Sequence, residues 1–264
     1  MSRPKFKGMA DRSNLAVQLY SLKDQSLVDP RVMLEMVPAL GFAGVETAGD
    51  YGWNVQTWHD QLDSNELRLV SAHVLLDRLE QDLSACIDFN TTLGNVNLVV
   101  PIPPDGEGRD RYHRCAERLN RVAKAALEQG CHLSYHNHHW EFEPLDDGVT
   151  GMEILLAETD PELVSFQLDT AWALAGGGDP YEFVVRHRER ISSLHAKEYQ
   201  MASGGEPDMG EGDVPFEKIV PIAVAEGWTI VVEHEPGPSA PAGIAASANY
   251  LGDLMESQLE EDPS

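Results

Sequence analysis

The chain has 264 residues, and 42% of them are hydrophobic, enough to bury a substantial core in one large domain or two smaller ones. It carries 44 acidic and 19 basic residues, a formal net charge of −25. Such an acidic surface repels nucleic-acid phosphates and anionic lipids, so we expect neither nucleic acid nor a membrane as a partner. No apolar run reaches the roughly 20 residues that span a bilayer, and the N-terminus lacks the apolar core of a signal peptide, which predicts a cytoplasmic protein.

The first elements along the chain are a strand, a helix and a second strand. Residues 15–20 (LAVQLY) form a compact apolar run, and a helix is predicted to begin at Asp29-Pro30, because proline suits the first turn of a helix. Gly41 ends this helix where a left-handed residue is needed, and residues 43–46 begin the next strand. The same order of helix, glycine and strand recurs at Gly94, Gly130 and Gly227.

Eight apolar runs alternate with amphipathic helical segments over the whole chain. The predicted strands are LAVQLY (15–20), AGVE (43–46), LRLVSAH (67–73), VNLVVP (96–101), HLSYHN (132–137), VSFQLD (164–169), ISSLHAK (191–197) and TIVVEH (229–234). Strands buried on both faces and alternating with helices indicate an α/β fold, and eight such units indicate a single (β/α)8 TIM barrel. A doubly wound sheet fits less well, because no G-x-G-x-x-G turn follows the first strand.

We expect one domain over residues 1–264, without a linker and with flexible ends of about 14 polar residues at the start and about five at the finish. Two Gly- and Pro-rich loops, 101–111 and 201–214, each follow a predicted strand. In a barrel they lie on the face where active sites are built. The three cysteines Cys86, Cys115 and Cys131 form no C-x-x-C pair, and we interpret them as buried small apolar side chains.

Several predicted strands end in the side chains that bind metals or move protons. The fifth continues into the stretch 131–141, CHLSYHNHHWE, and three later strands end in Asp169, in His195 with Lys197, and in Glu233 with Glu235. In a barrel these ends meet at one mouth, and a mixed nitrogen and oxygen set there favours Mn²⁺, Zn²⁺, Co²⁺ or Fe²⁺. The side chains gathered at the mouth would be Glu46, His73, His136, His138, Asp169, His195, Lys197, Glu233 and Glu235.

Each of these residues also has a plain structural interpretation. Glu46 and His73 could hydrogen-bond loops at the mouth, and Asp169 could cap the helix that follows it. Lys197 could be an ordinary ion-pair partner of a neighbouring acid. The repetition over four strands favours a single site for a divalent metal ion.

At these residues the chain resembles the xylose-isomerase-like TIM barrel superfamily, the sugar phosphate isomerase/epimerase group. The motifs that carry the resemblance are VQLYSL, GFAGVE, SAHV, YHNHHWEFEPL, QLDTAWALAGGGDP, LHAKE, GEGDVPF and VVEHE. The resemblance implies a metal held by a Glu, an Asp, a His and a second Glu, of which Asp169, His195 and Glu233 match the last three. His136 stands where many epimerases have the first Glu, and Glu141 is an alternative source of that carboxylate.

The resemblance implies a sugar isomerase or epimerase that moves a proton next to a carbonyl through a metal-stabilised enediolate. In this hypothesis Glu233 or Glu141 takes the proton, and Lys197 or His138 neutralises the oxyanion. Glu46, His73 and Trp172 are the expected contacts to a small sugar or keto-sugar, Trp172 by stacking on the sugar face.

Three other functions stay open at this point. A lyase or hydrolase acting on 3-keto-glycosides would use the same α-proton chemistry. A sugar-binding barrel without catalysis would explain the departure at His136. An abasic-site endonuclease is disfavoured by the net charge of −25. The assembly state is open, and a homodimer is the simplest expectation for such a barrel.

Overall fold

The computed structural model describes residues 12–27 and 29–261, and the two ends predicted to be flexible lie largely outside this part of the chain. The strands are β1 (Leu15–Gln18), β2 (Gly44–Ala48), β3 (Arg68–His73), β4 (Asn97–Val100), β5 (His132–His136), β6 (Val164–Asp169), β7 (Ile191–Ala196) and β8 (Thr229–Val232). They pair in parallel, each with the next, and β8 closes on β1. The predicted (β/α)8 barrel is therefore confirmed.

Helices connect the strands on the outside. They are α1 (Lys23–Ser26), α2 (Pro30–Met36), α3 (Val55–Ser64), α4 (Leu76–Gln81), α5 (Leu83–Thr92), α6 (Gly108–Leu127), α7 (Gly151–Glu158), α8 (Thr170–Ala175), α9 (Pro180–His187), α10 (Phe216–Glu226) and α11 (Ala240–Glu261). Short 3-10 turns cover Arg12–Asn14, Leu19–Leu22, Pro38–Leu40, His139–Glu141 and Arg188–Arg190. Among the residues described, no helix is long and apolar enough to cross a membrane.

The core lies between the barrel and its ring of helices. Outward residues such as Leu98, Leu168 and Leu194 are fully buried against the helices, as two-sided burial of a parallel sheet requires. Cys86, Cys115 and Cys131 are buried, free thiols, as predicted.

The strand register decides which polar side chains share a level inside the barrel. Gln18 pairs with Glu46, His136 with Gln167, and Asp169 with His195. Because side chains alternate along a strand, Gln167 and Asp169 both point inward, Asp169 nearer the mouth. The barrel interior therefore holds one polar level at the mouth and another directly below it.

Candidate active site

The mouth is centred on an acid, an imidazole and a second acid from three successive strands. Asp169 ends β6, His195 lies near the end of β7, and Glu233 follows β8 directly. His195 Nδ1 lies 3.0 Å from Glu233 Oε2 and 3.9 Å from Asp169 Oδ2. All three residues are buried, and one ligand atom of each lies within 4.8 Å of the other two.

The hydrogen bonding and the donor atoms of these three residues fit a divalent metal ion. Asp169 Oδ2 is buried and has no hydrogen-bond partner, and it faces His195 Nδ1. Buried polar atoms are nearly always paired, so this oxygen needs a further partner. Two carboxylates with one imidazole form a mixed oxygen and nitrogen donor set that suits Mn²⁺, Zn²⁺, Co²⁺ or Fe²⁺.

Asp169 caps the helix that follows it, as one interpretation of the sequence predicted, and it also lies in the site at the mouth. Its Oδ1 accepts the backbone N–H of Trp172 at 2.7 Å and caps α8, while Oδ2 faces His195. Its backbone is fixed by the Asn137 side chain, whose Oδ1 accepts the Asp169 N–H at 3.0 Å. Burial and the nearby Glu233 carboxylate raise the pKa of Asp169 to about 7.

His136, the predicted fourth metal ligand, lies beside the three residues at a slightly lower level. Its ring is 4.5 Å from that of His195, centre to centre. Its Nδ1 is 3.1 Å from Gln167 Oε1. His136 also belongs to a second cluster, in which one nitrogen each of His73, His136 and His195 lies within 4.8 Å of the others. Burial and the neighbouring imidazoles hold the pKa of His136 well below its usual value.

Glu46 lies in the level below the mouth and is fully buried. Burial alone would raise its pKa, but His73 and His195 hold that pKa well below its usual value. His195 Nε2 is 2.6 Å from Glu46 Oε1. Burial lowers the pKa of His195, but the Glu46 and Glu233 carboxylates outweigh it and raise that pKa to about 10.

Glu46 was predicted to contact substrate, and the structure does not place it where a substrate reaches. Both carboxylate oxygens are occupied by side chains of the protein, and none of its surface is exposed. His73 is joined to the same level, with its Nε2 2.9 Å from Glu46 Oε1 and 2.9 Å from Gln167 Oε1. Glu46 and His73 therefore support the side chains of the mouth from below.

Lys197 supplies a buried positive charge at the mouth. Its Nζ lies 3.2 Å from Glu233 Oε1, forms a second ion pair with Glu235, and lies 4.6 Å above the centre of the Trp172 ring. Burial disfavours the ammonium, yet Glu233 and Asp169 outweigh that effect and raise the pKa of Lys197. Burial raises the pKa of Glu233, but His195 and Lys197 hold that pKa well below its usual value.

An aromatic wall formed by His138, Trp140 and Trp172 stands beside this ion pair. His138 stacks on Trp140 at 4.4 Å with ring planes 10° apart, and lies 5.9 Å from Trp172. The wall packs closely because Gly176, at the end of α8, has no Cβ that would collide with the His139 carbonyl oxygen. His138 and Trp140 are partly buried, and burial lowers the pKa of His138 to about 4.

Glu141, predicted as a proton acceptor, is not brought to the mouth. Tyr135 O–H donates to its Oε1 at 2.7 Å, and the backbone N–H of His138 donates to its Oε2 at 2.7 Å. Tyr135 and His136 are consecutive on β5, so Tyr135 points to the helix side when His136 points into the barrel. The 3-10 turn His139–Glu141 carries Glu141 to that outer side.

Sequence reasoning missed three groups that organise the site. Gln167 was passed over, although it shares the inward face of VSFQLD with Asp169, and that alternation was the available signal. Buried Glu198 accepts the backbone N–H groups of Gly210 and Val214 and holds the loop after β7. Glu206 of that loop pairs with His234 at 2.7 Å and accepts the Glu235 N–H at 3.0 Å. No local sequence pattern indicates these loop contacts.

A closed parallel barrel with its polar strand ends at one mouth is the architecture of a barrel enzyme. The family model described as xylose isomerase-like TIM barrel matches residues 34–254. The chain belongs to this family, as its motifs predicted.

Among curated relatives, an inosose dehydratase of Bacillus cereus is 23% identical over 79% of this chain and 83% of its own length. A crystal structure of a sugar phosphate isomerase/epimerase from Parabacteroides distasonis superposes with a TM-score of 0.79 at 25% identity, covering 95% of this chain and 96% of that one. A probable 3-DHS dehydratase from Bacillus anthracis has a TM-score of 0.70 at 15% identity, covering 90% of this chain and 98% of that one, and shares the fold.

The relatives correct the predicted reaction. Inosose dehydratases from several bacteria match this chain, so the sequence-based prediction of a sugar isomerase or epimerase is wrong. The alternative of a lyase with the same α-proton chemistry agrees better with these matches. They also support an enzyme with a small sugar-like substrate.

Proposed function

We propose that the protein is a metal-dependent dehydratase that removes water from a neutral cyclic keto-polyol such as an inosose. The observation that carries this proposal is the similarity to inosose dehydratases over most of both chains. The mouth supplies the groups that such a reaction needs, namely a metal donor set, a buried ammonium and an uncharged imidazole.

The reaction begins with removal of the proton on the carbon next to the carbonyl. The electron pair of that C–H bond forms a C=C bond, and the hydroxyl on the following carbon leaves. A proton joins the departing hydroxyl, so the products are an unsaturated ketone and one water molecule. An isomerase uses the same first step and then returns the proton to carbon instead of expelling the hydroxyl.

Asp169, His195 and Glu233 would hold the metal, with His136 beside them. A divalent ion in this place supplies Lewis-acid stabilisation of the negative charge that develops on the substrate oxygen. These side chains are buried on rigid strand ends, so little reorganisation is needed when charge develops.

We assign proton removal to His138 and charge neutralisation to Lys197. His138 is uncharged near neutral pH, and its ring lies 4.9 Å from that of His136 at the mouth, so the imidazole can accept a proton. The Lys197 ammonium is held between Glu233 and Glu235, where it can stabilise an enolate oxygen and donate a proton to the leaving hydroxyl. The ammonium also lies over the Trp172 ring, and this cation–π contact helps to hold it in place.

The charge of the mouth favours a substrate without phosphate. The positive charge of Lys197 is matched by Glu233 and Glu235, and Asp169 adds a further acid. None of the described site residues is an arginine, the residue best suited to bind phosphate by two hydrogen bonds. A phosphorylated sugar would therefore meet net repulsion at this mouth.

The test is to incubate the Mn²⁺-loaded protein with an inosose in deuterated water. We expect loss of one water molecule by mass spectrometry, new absorbance of an unsaturated ketone, and no reaction in a His195→Ala variant. His59→Ala is the matched control, because His59 is exposed on α3, and it should keep full activity. Deuterium exchange without water loss, or metal binding without any reaction, would contradict the proposal.

A further inference from the structure

Glu46 joins five side chains from four other strands below the mouth. Its Oε1 lies 2.7 Å from Gln18 Nε2, 2.6 Å from His195 Nε2 and 2.9 Å from His73 Nε2. Its Oε2 accepts from Ser71 Oγ, and from Gln167 Nε2 at 2.7 Å. A fully buried carboxylate with this many partners links the two polar levels of the barrel.

The network fixes the direction of each hydrogen bond. An ionised carboxylate only accepts, so each of its partners must donate. The amide nitrogen of Gln167 therefore faces Glu46, and the amide oxygen faces the imidazoles. Because that oxygen also only accepts, His136 donates to it from Nδ1 at 3.1 Å.

We propose that Glu46 is a positioning residue that sets the proton positions of two imidazoles at the metal level. Through Gln167 it places the proton of His136 on Nδ1, which leaves Nε2 free of a proton. Directly, it holds a proton on Nε2 of His195, which leaves Nδ1 as the nitrogen that faces Asp169 and Glu233. Carboxylates that orient metal-binding histidines in this way raise metal affinity. The inference is independent of which keto-polyol the protein converts.

The same network accounts for the close approach of His73, His136 and His195. Their spacing would also suit a metal ion bound by three imidazoles. However, His73 Nε2 and His195 Nε2 are used by Glu46, and His136 Nδ1 is used by Gln167. These rings meet because they share two acceptors, so one nitrogen of each ring is already partnered.

A Glu46→Gln substitution tests the proposal because an amide offers one accepting edge and one donating edge. If its oxygen faces His195, its NH2 group faces Gln167, which must turn over and present its own NH2 group to His136. The His136 proton then moves to Nε2. If its NH2 group faces His195 instead, Nε2 of His195 loses its proton. Either orientation reverses one of the two proton positions.

The measurements are long-range ¹H–¹⁵N spectra of the His136 ring in metal-free protein and the affinity for Mn²⁺ alone. In the native protein we expect the proton of His136 on Nδ1. In Glu46→Gln we expect that proton on Nε2, or Mn²⁺ affinity lower by about 10- to 100-fold, or both. Native values for both measurements in a folded Glu46→Gln protein would overturn the proposal.

Ser134→Ala is the matched control, because Ser134 is also buried and hydrogen-bonded inside the barrel, but only to Ser165 and Ser192. It should leave both measurements unchanged. Gln167→Met is the second variant if Glu46→Gln does not fold, because it removes the acceptor of His136 and leaves the Glu46 carboxylate in place. The His136 proton should then lose its preference for Nδ1, and an unchanged spectrum would overturn the relay through Gln167.

Discussion

Two buried glutamates on opposite sides of the sheet have opposite tendencies to ionise. Glu46 lies inside the barrel and Glu141 lies behind β5, and neither side chain is exposed. The pKa of Glu46 is held well below its usual value, whereas burial raises the pKa of Glu141 to about 7.

The difference comes from the partners and not from the depth of burial. Glu46 faces His73 and His195 and also accepts bonds from two amides and a hydroxyl. Glu141 accepts hydrogen bonds from the Tyr135 phenol and from the backbone N–H of His138. Neither of these two partners is a cation. Donors and positive charge stabilise a carboxylate, and burial without them favours the protonated acid. The inner side of the sheet therefore stabilises an ionised carboxylate at Glu46, and the outer side favours the protonated acid at Glu141.

The largest expected effect is a loss of catalysis on the inner side. Replacing Lys197 by Met keeps the length of the side chain and removes the ammonium between Glu233 and Glu235. We expect kcat for dehydration of an inosose to fall by about 10²- to 10⁴-fold, since loss of a proton-transfer group has effects of this size. Lys124→Met, at an exposed position on α6, is the control. A kcat equal to that of the control would remove Lys197 from the mechanism.

The next effect compares the two glutamates in folding stability. Glu46→Leu leaves two imidazoles and three further donors without their acceptor, and we expect the free energy of unfolding to drop by about 3–5 kcal/mol. Glu141→Leu leaves one phenol and one backbone N–H unpaired, for which we expect about 1–3 kcal/mol. Urea unfolding followed by circular dichroism measures both. Equal losses would show that the number of partners does not distinguish the two sites.

One component of the pH dependence of stability should come from Glu141 on the outer side. The pKa of Glu141 is raised to about 7 in the folded protein. The folded state therefore binds a proton that the unfolded state has released, and stability falls as pH rises from the unfolded value toward 7. The loss amounts to about 3 kcal/mol at most, because each pKa unit corresponds to about 1.4 kcal/mol.

Glu141→Gln should remove this component of the pH dependence, as measured by urea unfolding between pH 5 and pH 8 (a range chosen to bracket about 7). Glu143→Gln is the control, because Glu143 is exposed in the same loop. If both variants keep the slope of the native protein, the buried acid is not the source.

The smallest effect concerns turnover by Glu141→Gln. Glu141 lies on the helix side of β5 and its oxygens are occupied by Tyr135 and His138, so we expect kcat to stay near the native value. Steady-state kinetics with an inosose measures it. A fall by the roughly 10²-fold typical of a lost catalytic base would return Glu141 to the mechanism.

Most of the fold follows from local patterns in the sequence. The apolar runs located all eight strands, and Gly41 and Gly227 end helical segments with the left-handed backbone expected of them. The ends of these runs differ from the strands by only a few residues, as at β1, where the apolar run continues into the 3-10 turn Leu19–Leu22. Local pattern suffices here because each helix and strand buries its own apolar face.

The candidate site was less accessible to sequence reasoning. Strand ends located Asp169, His195 and Glu233, since alternation places them on the inner face. The alternation stops at the 3-10 turn His139–Glu141, so the sequence could not show that Glu141 turns outward. The reaction was predicted wrongly because isomerases and dehydratases share the first proton removal, so the same motifs suit either reaction.

The double role of Asp169 has a consequence for observing the protein by optical spectroscopy. One carboxylate oxygen caps α8 through the backbone of Trp172, and the other faces His195. A cation bound at Asp169 would therefore be linked by a single hydrogen bond to the start of α8, which places the Trp172 indole against the Lys197 ammonium. We therefore expect the intrinsic fluorescence of Trp172 to change when the proposed cation binds, a signal that can be measured before any substrate is known.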